Sequence, residues 1–115
     1  MAKTETPNWL ASEELLWLKR DGSEVHVTAR VGLPYQVDER TWACPMELAG
    51  VHLRVGDILS TSAMQALCMS LSLLRTRLGH LIANGERLVY PHDRKCVWNV
   101  PMLVAIFGNG FDFPD

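Results

Sequence analysis

The residues of this 115-residue chain best suited to chemistry are its 4 histidines, its 3 cysteines and a few adjacent acids. His26 and His52 fall on the polar sides of alternating segments, where two imidazoles meeting across a sheet would hold a metal or pass protons. No third ligand follows at motif spacing, so the plainer reading is solvated surface. His92 and Cys96 stand in an H-x3-C arrangement around Asp93. Structural zinc needs four ligands, and Cys44 and Cys68 lie on apolar stripes where a thiol acts as a small hydrophobe. Cys96 is the thiol expected to be accessible, with His92 as the base that a cysteine nucleophile would need. Gly108-Asn109-Gly110 lacks the third glycine and the strand-loop-helix setting of a dinucleotide loop. Glu13-Glu14 and Asp38-Glu39 fall in an arm and a turn, where acids are solvated. No catalytic, metal or cofactor site is expected from these residues.

The elements that position these side chains are legible from periodicity. Leu15 to Arg20, the Asp21-Gly22 turn and Glu24 to Leu33 read as a hairpin. Val25, Val27, Ala29, Val31 and Leu33 share one face, and His26, Thr28 and Arg30 the other. Trp42, Cys44, Met46 and Leu48 continue period two through a third strand, in which Pro45 demands an edge or a bulge. Val51 to Val55 reads as a short fourth strand carrying His52 and Arg54 on its polar side. A helix capped by Ser60, Thr61 or Ser62 follows, with Met64, Leu67, Cys68, Leu71, Leu74, Leu78 and Leu81 on its apolar stripe and Asn84-Gly85 at its end. A second stripe of Ser62, Ala66, Met69 and Leu73 asks for a further cover. The candidates are the segment containing Met102, Leu103, Val104, Ile106, Phe107, Phe111 and Phe113, or a second copy of the chain, making a homodimer. Arg87 to Tyr90 reads as a fifth strand, Pro91 to Lys95 as a turn and Cys96 to Trp98 as an extended piece. Pro101 to Phe107 fits a short helix or a buried strand equally. Trp17 and Trp42 are assigned to the core, where large rings usually go.

The expected fold class is α+β: an antiparallel four- to five-stranded sheet with one long helix packed on one face. One domain spans 1–115, with 1–12 as a flexible N-terminal arm. Composition narrows the function. Lys plus Arg number 11 against 13 Asp plus Glu, for a net charge of −2 and a pI near 6.0, which speaks against a nucleic-acid surface. The longest apolar run, Val100 to Phe107, contains Pro101 and is far short of the roughly 20 residues that cross a bilayer. No signal peptide is visible at Met1 to Pro7, and three widely spaced cysteines suit a reducing compartment, so a cytoplasmic location is expected.

Two segments carry a resemblance. Val31-Gly32-Leu33-Pro34-Tyr35 with Trp42-Ala43-Cys44-Pro45, and Gly56-Asp57-Ile58 leading to Met64-Gln65-Ala66-Leu67, resemble the "IGxP…WxCP…QAL" pattern of a family of small uncharacterised bacterial α+β proteins, over roughly residues 13 to 90. The resemblance implies a fold and brings no activity with it. The functional expectation is a non-catalytic protein-binding module, most concretely an immunity protein neutralising a secreted bacterial toxin. His26, Arg30, Glu47, His52 and Arg54 are its expected contact residues. The alternatives are a small-ligand binder or enzyme with a site between the sheet and the C-terminal segment, using Tyr90, His92 or Cys96, and a structural homodimer.

Overall fold

A computed structural model of the chain describes residues 3–52, 54 and 56–108. In chain order the strands before the long helix are β1 (Trp9–Leu18), β2 (Glu24–Gly32), β3 (Tyr35–Asp38), β4 (Thr41–Cys44), β5 (Met46–Ala49) and β6 (Ile58–Ser60). Then come α1 (Ala63–Ala83), β7 (Arg87–Tyr90), β8 (Asp93–Val97) and α2 (Val100–Phe107). The fold is α+β, with a five-stranded antiparallel sheet in the order β5-β2-β1-β7-β8 and a three-stranded one in the order β3-β4-β6.

The alternation in β2 sets the phase of the larger sheet. Leu15 pairs with Val27 and Glu13 with Ala29, while Ala29 pairs with Leu48 and Val31 with Met46. Leu15, Val27, Ala29 and Leu48 therefore line one face, where Leu74 and Leu78 of α1 and Trp98, Leu103 and Phe107 close over them. The hairpin forms as expected, although its loop takes in Lys19–Ser23 and is wider than a two-residue turn: Lys19 N–H donates to Ser23 O at 2.9 Å. Gly22 within it has φ +91°, a conformation that favours glycine.

Two expected strands change. The run from Trp42 to Leu48 is not one strand: it breaks at Pro45 into β4 and β5, which belong to different sheets. Proline has no N–H for a ladder, so the break falls where the ladder ends in any case. The strand expected from Val51 to Val55 does not form among the described residues; Leu53 and Val55 lie outside them. Val51 and His52 both donate their N–H to Leu48 O, at 3.2 and 3.3 Å, which turns the chain away from the sheet. Gly50, with φ +93°, initiates that departure.

The stretch read as an arm contains the start of β1 and is tied down ahead of it. Leu33 N–H donates to Asn8 O at 2.7 Å, and Thr4 N–H donates to Asp57 Oδ2 at 3.0 Å. Trp17 and Trp42 are half-buried at the margins of the core.

Ser62 is the cap of α1, its hydroxyl accepting from Gln65 N–H at 3.1 Å. At the other end Gly85 N–H donates to Ile82 O and Glu86 N–H to Leu81 O, at 3.0 and 2.9 Å. Together these are the paired bonds of a Schellman ending. The buried line of α1 runs through Ala66, Ser70, Leu74 and Leu78, whereas Met64 is 72% exposed and Cys68 is exposed. The expected stripe was too wide. Small side chains mark the closest approach: Ala66 packs with Val31 and Cys44, and Ser70 spends its hydroxyl on Ala66 O at 2.9 Å. The second stripe is covered from within the chain. Leu73 faces Met46 and Ile58 across a small cavity, and α2 packs along α1 near Gly79 and Leu103. Phe111 and Phe113 lie outside the described residues. The open choice at Pro101 to Phe107 resolves as a helix, capped by the Asn99 carboxamide accepting from Met102 N–H at 2.9 Å.

Candidate functional site

Side chains alternate across β2, so His26, Thr28 and Arg30 point away from the face that α1 and α2 cover. Cross-strand pairing brings Glu14 opposite Thr28 and Glu47 opposite Arg30, on the same open face. The Glu14 carboxylate accepts from the Thr28 hydroxyl at 2.8 Å and meets His26 Nε2 at 2.6 Å. The Thr28 bond foremost, and His26 beside it, hold the Glu14 carboxyl below its usual range. Arg30 Nε donates to Glu47 Oε1 at 2.8 Å, and its guanidinium lies 4.1 Å from the Trp9 ring centroid, a cation–π distance.

A third pair shapes this face. Arg94, at the start of β8, grips Glu24 of β2 with both terminal nitrogens, Nη2 reaching Oε2 at 3.0 Å and Nη1 reaching Oε1. Two strands lie between them. At ~4.8 Å per strand the separation along a flat sheet is ~14 Å, so the open face curls toward the bridge. The bond from Arg94 lowers the Glu24 carboxyl from its ordinary range.

The five contact residues expected from sequence fall in two groups that meet at Trp9, whose ring centroid is 4.1 Å from the Arg30 guanidinium and 5.7 Å from that of Arg54. His26, Arg30 and Glu47 share the open face. His52 and Arg54 sit in the β5–β6 loop and line a cavity with Met46, Leu73 and Arg77. Arg54 belongs to a buried polar cluster: its Nη2 contacts Asp57 Oδ1 at 2.5 Å and its Nη1 donates to Thr4 O at 2.9 Å. The Asp57 side chain is fully buried and accepts further from the Tyr35 hydroxyl at 2.6 Å. Burial, and then the bond to Asp57, push the Tyr35 phenol up to about 12.

Sequence reasoning missed Glu14, Trp9, Tyr35 and Asp57. Glu14 was within reach, because a hairpin centred on Asp21-Gly22 sets it near Thr28. For Asp57 the only local sign was an acid between Gly56 and Ile58, with nothing to tell burial from exposure.

The space between the sheet and the C-terminal segment does hold a groove, of about 190 Å³, walled by Ala29, Val31, Leu71, Leu74, Ile106 and Phe107. It is smaller than the roughly 300–1,000 Å³ of ordinary ligand pockets. Tyr90, His92 and Cys96 are not among the residues that line it. Tyr90 instead packs its ring 5.2 Å from His92 and 4.9 Å from Trp98. Among the described residues no group of three or more His, Cys, Asp or Glu is placed to hold a metal ion, and no helix is long and apolar enough to cross a membrane.

These features define a two-sheet α+β protein with one face of its larger sheet left open. No family model, curated protein or solved structure matches the chain.

Proposed function

We propose that this protein is a non-catalytic protein-binding module that engages its partner through the open face of the five-stranded sheet. The observation that carries the proposal is the contrast between the two faces. One is covered by α1 and α2, while the other carries His26, Thr28, Arg30, Glu14 and Glu47 with no described helix over them. Their cross-strand bonds hold the side chains in place before a partner arrives, which reduces the ordering cost of association. Trp9, stacked on Arg30, supplies the aromatic anchor typical of such surfaces.

Mixed charges on a chain of net charge −2 favour a partner with a complementary, net basic surface. The narrower form of the proposal is an immunity protein that covers a secreted bacterial toxin. The test is affinity capture from native lysate at low and high salt, with the double swap R30E/E47R beside the natural chain. The swap keeps the ion pair and inverts the charge pattern of the face. A stoichiometric partner lost by the swapped chain, at unchanged Tm, is expected, and a toxin as that partner supports the narrower form. Undiminished capture by the swapped chain would remove this face as the interface.

A further inference from the structure

We infer that the unpaired edge of β1 at residues 10–14, with the apolar groove beside it, is a docking site for an extended segment of a partner protein that carries an apolar and a basic side chain two residues apart. β1 is an inner strand over only part of its length. β7 pairs with it at Leu16, Trp17 and Leu18, whereas β2 follows it back to Trp9. Among the described residues no strand lies on the β7 side of residues 10–14, and Leu10, Ala11 and Ser12 are exposed. The backbone N–H and C=O groups that face that way offer a template for one more strand.

The groove lies against this edge. Its walls include Ala11 and Glu13 of β1, Leu71 and Leu74 of α1, and Ile106 and Phe107 of α2. An apolar cavity of ~150 Å³ admits benzene, so a groove of about 190 Å³ takes one side chain of leucine or phenylalanine size. Domains that accept a peptide as an added strand obtain affinity from such main-chain bonds and specificity from such pockets for alternate side chains.

Glu13 selects the occupant. It pairs with Ala29, a core residue, so its half-buried side chain is on the covered face of the sheet, at the groove. The ion pairs among the described residues do not include it, and Arg30, the arginine at the groove, is spent on Glu47. An acid turned inward on an edge strand repels any strand that brings no cation to meet it. Antiparallel pairing with a second copy across this edge sets two Glu13 carboxylates on the same face, which is unfavourable for like charges. A segment with Lys or Arg beside Glu13 and an apolar residue two positions along, on the same face of its strand, pairs the carboxylate and fills the groove together. The open sheet face takes no part, so partner capture through that face can fail while this site binds, and the reverse.

The experiment uses the purified full chain and a fluorescein-labelled heptapeptide, Thr-Val-Lys-Val-Leu-Val-Thr, read by anisotropy and by the amide NMR signals of residues 10–14. One-to-one saturation with shifts at those amides is expected. Replacing the peptide's lysine by glutamate is expected to weaken binding at least tenfold, and Glu13→Lys to reverse that preference; should that variant fail to fold, the two peptides on the natural chain decide the point. N-methylation of alternate peptide nitrogens is expected to abolish binding in one phasing and spare it in the other, since only one set of N–H groups faces β1. No saturation, equal binding of the two peptides, or indifference to both methylation patterns overturns the site. Exchange protection, in the free chain, of the amides that face away from β2 overturns it too: protection that grows with concentration gives the edge to a second copy, and protection that does not gives it to residues 109–115.

Discussion

The Gly32 N–H donates to the Pro45 carbonyl at 2.8 Å, and a Cβ built on Gly32 would stand 2.9 Å from two carbons of the Pro45 ring. This contact is the corner where the two sheets join. β2 ends at Gly32, β4 ends one residue before Pro45 and β5 begins one residue after it. The buried Cys44 thiol completes the corner by donating to Gly32 O at 3.4 Å, and burial raises its pKa. The Gly-Leu-Pro and Trp-Ala-Cys-Pro segments thus act in architecture, fixing β5 beside β2 and with it Glu47 opposite Arg30.

Gly32→Ala is expected to destabilise the protein by roughly 1–3 kcal/mol, because the new methyl must displace a proline ring and the Asn8 carbonyl, 3.1 Å away, in a packed corner. Gly79→Ala is its control. There the nearest atom to an added Cβ, Leu103 Cδ1, is 3.9 Å away, and replacing glycine in a helix interior contributes about 0.5–1 kcal/mol. Urea midpoints moving in opposite directions confirm both; a Gly32→Ala midpoint equal to that of the natural chain refutes the corner.

Asp57→Asn removes the charge that faces Arg54 in a site with the Asp57 side chain fully buried. Breaking a buried pair from one side costs about 3–5 kcal/mol, since the remaining charge stays desolvated. The same change weakens the acceptor for Thr4 N–H, so the segment before β1 should loosen as well. Faster protease cleavage within residues 3–8 under native conditions, with a lowered urea midpoint, is the expected result. An unchanged cleavage rate would show that Asp57 does not pin that segment. The contact also disqualifies Arg54 as a clean probe of partner binding, because reversing its charge disturbs the fold.

The fold's pH dependence carries a mark of Tyr35. Its folded pKa, about 12 against an ordinary 10.0, means that folding favours the neutral phenol. The resulting stability is complete below pH 10 and is lost as pH rises from there through about 12. Absorbance titration should show a phenolate forming near pH 12 that is missing in Tyr35→Phe, and the alkaline fall in Tm should be shallower in that variant. A titration near 10 for both tyrosines would contradict the part-buried Tyr35–Asp57 bond. At the acid end Glu14 and Glu24, both lowered, act in the opposite sense, and their share is lost as pH falls through their folded values.

Local pattern was informative where one physical requirement dominated. The phase of β2, a cap within Ser60 to Ser62 and the Asn84-Gly85 ending each depend on a few adjacent residues, and each was legible, with Ser62 singled out only by the structure. The split at Pro45 was not, because Trp42, Cys44, Met46 and Leu48 keep period two whether they form one strand or two in separate sheets. His52 and Arg54 misled for a related reason. Alternation after Gly50 imitated a strand, while Gly50 at positive φ, where a side chain would meet His26 O at 2.4 Å, and the turn bonds of Val51 and His52 to Leu48 O take the chain off the sheet. Both errors fell on the candidate site: His26, Arg30 and Glu47 share the sheet face, whereas Arg54 reaches its margin from the loop, 5.7 Å from the ring centroid of Trp9.

The phase of α1 is open to a direct chemical check. Cys68 lies on the stripe that the large side chains suggest, but the helix turns Ala66 and Ser70 inward, which leaves Cys68 exposed, Cys96 half-buried and Cys44 buried. Thiolates are the reactive form, and burial that raises a thiol's pKa suppresses both access and ionisation. In native protein at pH 8 a disulfide reagent should therefore modify Cys68 first and Cys96 more slowly, with Cys44 reacting only on unfolding. Cys68→Ser should abolish the fast phase and leave the free energy of unfolding within about 0.5 kcal/mol of the natural chain's, as for other surface substitutions. Slow reaction of Cys68, or a large loss of stability in the variant, would rotate α1 back toward the wider stripe and place Met64 and Cys68 against the core.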